Sequence, residues 1–150
     1  NMANLFLETE PLEAKKLFER AIELDPEYRG AHRELAKLLT KLGDLPLAEY
    51  HFLRTIEIDP EDVFAYLFLA EMYATQKRNS EAETEYRKAI NIAPADAFAY
   101  GFFADFLSSL GRVAEAKENY LLALKIDPDI DPGDKHWQAK YAAFREENSI

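Results

Sequence analysis

Four prolines recur at an interval of 34 residues: Pro26, Pro60, Pro94 and Pro128. Each closes a similar phrase. The copies read Ala21-Ile22-Glu23-Leu24-Asp25-Pro26, Thr55-Ile56-Glu57-Ile58-Asp59-Pro60, Ala89-Ile90-Asn91-Ile92-Ala93-Pro94 and Ala123-Leu124-Lys125-Ile126-Asp127-Pro128. Proline lacks a backbone N–H and its ring clashes with the carbonyl of the preceding turn, so a helix stops before it and another can begin after it. A period of this length marks a chain built from one helical unit that buries its apolar face by stacking on its neighbours.

Two further columns keep the same register: Ala14 with Phe18, Ala48 with Phe52, Ala82 with Tyr86, and Ala116 with Tyr120. The alanines let a neighbouring helix backbone come close. The aromatics, four residues on, share their helical face and fill the space between hairpins. Gly43 and Gly111 stand between the two helices of their hairpins, where a left-handed residue is needed and glycine adopts it freely. In the third repeat that place is held by Lys77, and Asn79, two residues on, is the expected turn former.

These columns resemble the tetratricopeptide repeat over about residues 1–130. The first helix of that repeat carries an aromatic, then a large apolar residue followed by a small one, then another large residue. Here those slots hold His32, Leu35, Ala36 and Leu39; then Tyr66, Leu69, Ala70 and Tyr73; then Tyr100, Phe103, Ala104 and Leu107. His32 departs from the aromatic slot and Thr55 from a small one. The resemblance implies an all-α fold, a right-handed α-solenoid of helix-turn-helix hairpins with a concave inner wall.

In that phase the repeats occupy about residues 1–28, 29–62, 63–96 and 97–130. First helices are expected at about 29–42, 62–76 and 96–110, and second helices at about 11–24, 46–58, 80–92 and 114–126. Only residues 2–8 remain for a leading helix in the first repeat, which reads as a stunted helix or a cut through a longer array. Beyond the fourth repeat, Asp131-Pro132-Gly133-Asp134 breaks the rhythm, and Trp137, Tyr141 and Phe144 follow at helical spacing. Residues 131–150 are therefore expected to form a C-terminal capping helix, apolar toward the fourth repeat and polar outward.

Composition removes most chemistry. A chain of 150 residues with 48% hydrophobic and 31% charged side chains reads as globular rather than disordered. Its apolar runs are too short to span a bilayer. Asn1-Met2-Ala3-Asn4 lacks the basic and apolar segments of a signal peptide, so a cytoplasmic location is the expectation. Having no cysteine, the chain can form no disulfide, thiolate nucleophile or cysteine metal site. The formal charge of −10 repels nucleic-acid phosphates and attracts a basic partner segment. His32, His51 and His136 are too scattered for a metal motif, and the five glycines form no phosphate cradle. Asp129, Asp131 and Asp134 lack the closing bidentate glutamate of a calcium loop. We therefore expect no enzyme and no cofactor or metal, but a scaffold for protein–protein interaction.

A first helix in such an array has two opposed stripes. One, such as Tyr66, Leu69, Ala70 and Tyr73, packs within the array. The other lies two residues, or about 200°, away and faces the concave wall in the architecture the resemblance implies. That stripe reads Gly30, Arg33, Glu34 and Lys37 in the second repeat, Phe64, Leu67, Phe68 and Glu71 in the third, and Phe98, Gly101, Phe102 and Asp105 in the fourth. Since the second repeat carries polar residues there, the fold alone does not require phenylalanine in the next two.

The expected partner-binding set is Arg33, Lys37, Phe64, Leu67, Phe68, Glu71, Phe98, Gly101, Phe102 and Asp105. It comprises an aromatic floor, an acidic rim at Glu71 and Asp105, a basic end at Arg33 and Lys37, and a notch at Gly101. The competing reading stacks the phenylalanines on one another as core. The guest is a peptide segment or partner protein with apolar anchors and some positive charge, held in the concave groove. Two other functions fit the same repeats: a self-associating assembly module, and the repeat arm of a larger enzyme. A clamp for a C-terminal carboxylate is disfavoured, because Phe68, Phe98 and Phe102 stand where further polar residues would be needed.

Overall fold

Three helices of this chain begin where an aspartate accepts from their first, unpaired amides. Asp44 Oδ1 accepts from Leu47 N at 3.4 Å, Asp62 Oδ1 from Ala65 N at 3.1 Å, and Asp96 Oδ1 from Phe98 N at 2.8 Å. The computed structural model describes residues 2–130 and residue 146, with side chains from Glu10 onward. Its described residues form seven α-helices and no strand. They are α1 (Met2–Leu24), α2 (Arg29–Leu42), α3 (Leu45–Ile58), α4 (Val63–Thr75), α5 (Asn79–Ile92), α6 (Ala97–Ser109) and α7 (Val113–Ile126). From α2 to α7 each boundary lies within one residue of the position set by the 34-residue period. The expected capping helix, with Trp137, Tyr141 and Phe144, lies outside the described residues.

The aromatic slot has a second task besides filling space. Tyr66 Oη donates to the carbonyl of Pro60 at 3.0 Å, and Tyr100 Oη to the carbonyl of Pro94 at 3.1 Å. His32 Nε2 makes the same bond to Pro26 O at 3.0 Å. The imidazole thus replaces a tyrosine with its donor intact. That bond puts the His32 proton on Nε2 and leaves Nδ1 as an acceptor, 2.9 Å from His51 Nδ1, which donates to it.

The turns inside the hairpins share one geometry. Gly43 and Gly111 are left-handed, with φ of 84° and 76°. In each turn the following amide bonds back to the carbonyl five residues earlier: Asp44 N to Leu39 O and Arg112 N to Leu107 O, both at 3.0 Å. Arg78 N to Tyr73 O repeats this at 3.0 Å, and it is Lys77, not Asn79, that takes the left-handed conformation, at φ 62°. Asn79 instead opens α5. The backbone bond demands that geometry whatever side chain is present.

The front of the chain also differs from the expectation. α1 is one helix across residues 2–24, with Pro11 inside it, rather than a stub and a second helix starting at 11. An interior proline removes one ladder bond. The helical period nevertheless continues through it: Ala3, Phe6 and Leu7 fall on the same stripe as Ala14, Leu17, Phe18, Ala21 and Leu24.

The chain divides into two compact units, Asn1–Glu85 and Tyr86–Ile150, with the boundary inside α5. In the first, α2 packs against α1, α3 and α4, and α3 against α4. Its core is sealed by Leu35, Leu39, Phe52, Thr55, Leu67, Leu69 and Met72. Ala36, Ala48 and Ala70 have no exposed surface, as close helix approach requires. In the second unit α6 packs against α7. The rings of Tyr86, Phe103 and Phe106 form one cluster, with Tyr86 centred 5.8 Å and 5.2 Å from the other two.

Two outcomes follow from these turns and rings. Lys77→Gly relieves a left-handed side chain and should stabilise the chain by about 1 kcal/mol, read as a thermal midpoint higher by a few degrees. An unchanged midpoint would mean the turn is not strained. Burial first, and the adjacent His32 second, push His51 down to about 4 from its ordinary 6.5. The unfolded chain then binds the proton more readily than the folded one. Stability is complete above about pH 6.5 and should fall by about 2 kcal/mol as pH drops toward 4. His32→Tyr with His51→Asn, the pair that the fourth repeat carries as Tyr100 and Asn119, should remove this component from a pH series of urea melts.

Candidate functional site

The inner stripes of α2 and α4 are arranged as opposite walls of a cleft. α2 supplies Lys37, Thr40 and Lys41, and α4 supplies Phe68, Glu71, Met72 and Thr75. Phe52 of α3, only 1% exposed, closes the bottom of a space of about 250 Å³. Phe64 and Phe68 stack one turn apart on α4, with ring centroids 6.0 Å apart and planes at 27°. Phe64 is 38% exposed and Phe68 is half-buried. Lys37 Nζ bonds to Glu34 Oε2 at 2.9 Å and lies 4.9 Å from the centre of the Phe68 ring, in cation–π range.

One carboxylate fixes how these walls meet. Asp62, 5% exposed, caps α4 and accepts from Arg33 Nη1 of α2 at 2.8 and 3.0 Å. Arg29 Nη1 approaches the same carboxylate at 3.8 Å and pairs closely with Asp59. At the far end of α4, Tyr73 Oη donates to Glu49 Oε1 of α3 at 2.8 Å, and Arg78 Nη1 donates to Glu49 Oε2 at 2.9 Å. The Arg78 guanidinium lies 4.1 Å from the Tyr73 ring centre. Arg78 holds the Glu49 carboxyl below its ordinary range, whereas burial, and then the bond to Glu49, push the Tyr73 hydroxyl up. Both ends of α4 are thus tied to neighbouring helices by charge-assisted bonds.

The expected site residues fare differently. Leu67 has no exposed surface, and Gly101 is buried, so neither offers a surface to a guest. Leu67 lies about 100° round the helix from Phe68, which turns it into the core. Arg33 and Lys37 are not a free basic end: the first is held by Asp62 and the second by Glu34. Asp105 accepts a hydrogen bond from Tyr120 Oη, so it joins α6 to α7 as well as facing outward in part.

Phe64, Phe68 and Glu71 lie in the first unit, and Phe98, Phe102 and Asp105 in the second. Phe98 and Phe102 are half-buried, and Phe98 lines a wide opening of about 640 Å³ with Pro94, Asp96 and Ile126. Sequence reasoning missed Thr40, Lys41 and Thr75. Their signal was present: they continue the Arg33–Lys37 and Phe64–Phe68 stripes by a further turn.

The geometry is that of stacked helical hairpins, and the sequence pattern of the tetratricopeptide repeat matches residues 9–63, 65–96 and 99–130. The chain belongs to the tetratricopeptide repeat family. Its fold is similar to that in the crystal structure of yeast Tom70, with a TM-score of 0.70 and 24% identity, over 78% of this chain. The chain spans 24% of the Tom70 chain. It is also similar to the crystal structure of MamA, with a TM-score of 0.69 and 19% identity, over 95% of this chain and 81% of that one. A search of curated proteins found no match. The tetratricopeptide array is an all-α scaffold for protein–protein interaction. Among the described residues no helix is long and apolar enough to cross a membrane, and no group of three or more potential ligands could hold a metal ion.

Asp62 can be tested directly. Asp62→Ala removes the cap of α4 and leaves Arg33 without its partner, and should cost about 3 kcal/mol in urea unfolding. Asp62→Asn keeps an acceptor for Ala65 N and should cost clearly less. If the two variants are equally damaging, the cap is irrelevant and only the charge matters.

Proposed function

We propose that the chain captures an extended or helical segment of a partner protein on the inner stripe of its first helices, with the cleft between α2 and α4 as the anchor point. The observation that carries this reading is a half-buried phenylalanine, Phe68, lining a cleft whose bottom is fully apolar. Recognition of this kind sets an apolar side chain of the guest in a pocket and leaves polar contacts to the rim. Glu71, exposed on the rim, suits a cationic residue beside that anchor, and the overall charge of −10 draws a basic segment toward the surface. Phe98, Phe102 and Asp105 carry the same residue types on the second unit.

This reading drops Leu67 and Gly101 from the contact set and assigns Arg33 to holding α2 against the start of α4. Lys37 keeps a contact role through its apolar stem and its place over Phe68.

The test is capture from native cell extract followed by measured affinity for the protein recovered. Phe68→Ala with Phe102→Ala should weaken binding at least tenfold, with a stability loss of about 1 kcal/mol per site. A loss of about 3–5 kcal/mol per site would make the rings core and sink the proposal. Glu71→Lys, on an exposed position, should weaken the binding of a basic guest.

A further inference from the structure

The fourth repeat opens a gap at slots that rings close in the second. In the second, His51 of α3 meets His32 of α2, Nδ1 to Nδ1 at 2.9 Å. Tyr50 sets its ring on edge against His51, with 5.0 Å between centroids. Two periods on, the slots of His32, Tyr50 and His51 hold Tyr100, Glu118 and Asn119. A carboxylate and an amide replace two rings, and the side chains turn to other partners. Tyr100 Oη donates to Pro94 O at 3.1 Å, and Asn119 Nδ2 donates to Glu115 O of its own helix at 2.9 Å. What remains is an opening of about 460 Å³ between α5 and α7, within the second unit, with Ile90 and the buried Phe103 in its lining.

Most of the hydrogens in this opening are spent, whereas the lone pairs are not. Tyr100 Oη has given its only hydrogen to Pro94, so it can only accept. Asn119 keeps Oδ1 as an acceptor. Glu115 is neutralised by a two-point pair with Arg112, at 2.8 and 2.6 Å. Glu118 lies exposed on the same wall, and its carboxylate has no hydrogen bond or ion pair among the described residues. Arg87, the cation of the α5 wall, is occupied, with its guanidinium 5.1 Å from the centre of the Phe103 ring.

A guest suited to this lining brings several N–H groups, a positive charge and a flat face. A guanidinium has all three. Its planar fan of five N–H groups reaches acceptors on different walls at once, and its weak hydration lets it lie against apolar surface. An ammonium presents its donors from one point and holds its water more tightly. The Arg87 guanidinium over Phe103 is an internal instance of the same affinity.

We propose that the opening between α5 and α7 is a second binding site, which takes an arginine side chain of a partner protein. Glu118 pairs with the guanidinium, Asn119 Oδ1 and Tyr100 Oη accept from it, and the arginine stem lies along Ile90. The net charge of −10 draws a basic segment toward it. The site shares no residue with the cleft between α2 and α4, so it stands whether or not that cleft binds a guest.

The experiment is an NMR titration of the isotope-labelled full chain with Nα-acetyl-arginine amide. A single side chain binds weakly, so a Kd on the order of 1 mM is expected, with shifts centred on Glu118, Asn119 and Asn91. Nα-acetyl-lysine amide should bind at least about threefold more weakly, and Nα-acetyl-norleucine amide should leave these signals in place. Glu118→Gln should weaken the arginine probe about fivefold. Glu118→Tyr with Asn119→His, which restores the rings of the second repeat, should abolish the shifts.

No shift at these residues up to about 20 mM probe overturns the proposal. So do shifts spread over the acidic surface at large, shifts that survive Glu118→Gln, and equal responses to the arginine and lysine probes. Free arginine should bind no better than the blocked probe. Binding of free arginine about tenfold tighter would make the ligand a free amino acid and overturn the protein partner.

Discussion

The bond from the aromatic slot to the proline carbonyl joins the two halves of the repeat boundaries at Pro26, Pro60 and Pro94. The proline ends one helix because it has no N–H to offer the ladder, and its own carbonyl then faces a turn without a helical partner. Six residues on, the tip of Tyr66 or Tyr100 donates to that carbonyl while the ring body packs below it. The stop signal and the packing of the next helix are thereby one interaction. His32 shows what the slot requires: a flat apolar body and a donor at its tip, which imidazole supplies with Nε2. The cost of the substitution appears elsewhere, at His51, whose protonation the buried pair resists.

Much of this was legible because the period repeats each signal in phase. Prolines, alanines and aromatics in fixed columns placed α2 to α7 within a residue. Lys77 was not legible, since nothing in a lysine announces positive φ; the turn geometry comes from the backbone bond of Arg78 to Tyr73 and overrides the residue's preference. α1 was misread for a related reason. Pro11 looks like a start signal, but α1 runs through it from Met2 to Leu24 with the loss of one ladder bond.

The site was legible to a lesser degree, for a geometric reason. A stripe spaced at i, i+3, i+4 and i+7 spans a wide arc, and the residues at its edges belong to different environments. Phe68 faces the cleft while Leu67, its neighbour, is core. Charge was harder still. Arg33 and Lys37 look like free cations in sequence, but their partners Asp62 and Glu34 appear only once helices are placed. In a chain of net charge −10 few cations remain without a nearby carboxylate, so a basic patch is the least safe prediction from sequence.

Asp62 explains why an apolar cleft can stay open. Apolar walls left to themselves close, because burial is favourable and non-directional. A buried carboxylate that must satisfy both an α4 amide and the Arg33 guanidinium is directional, and it fixes the start of α4 at a set distance from α2. Phe68 then lies three turns or fewer from a rigid anchor, and Tyr73 at the other end is held by Glu49. The helix that carries the ring is held by polar bonds at both ends, and the ring itself stacks on Phe64 beneath Lys37. Such a site is preorganised, so a guest orders little of the scaffold when it binds.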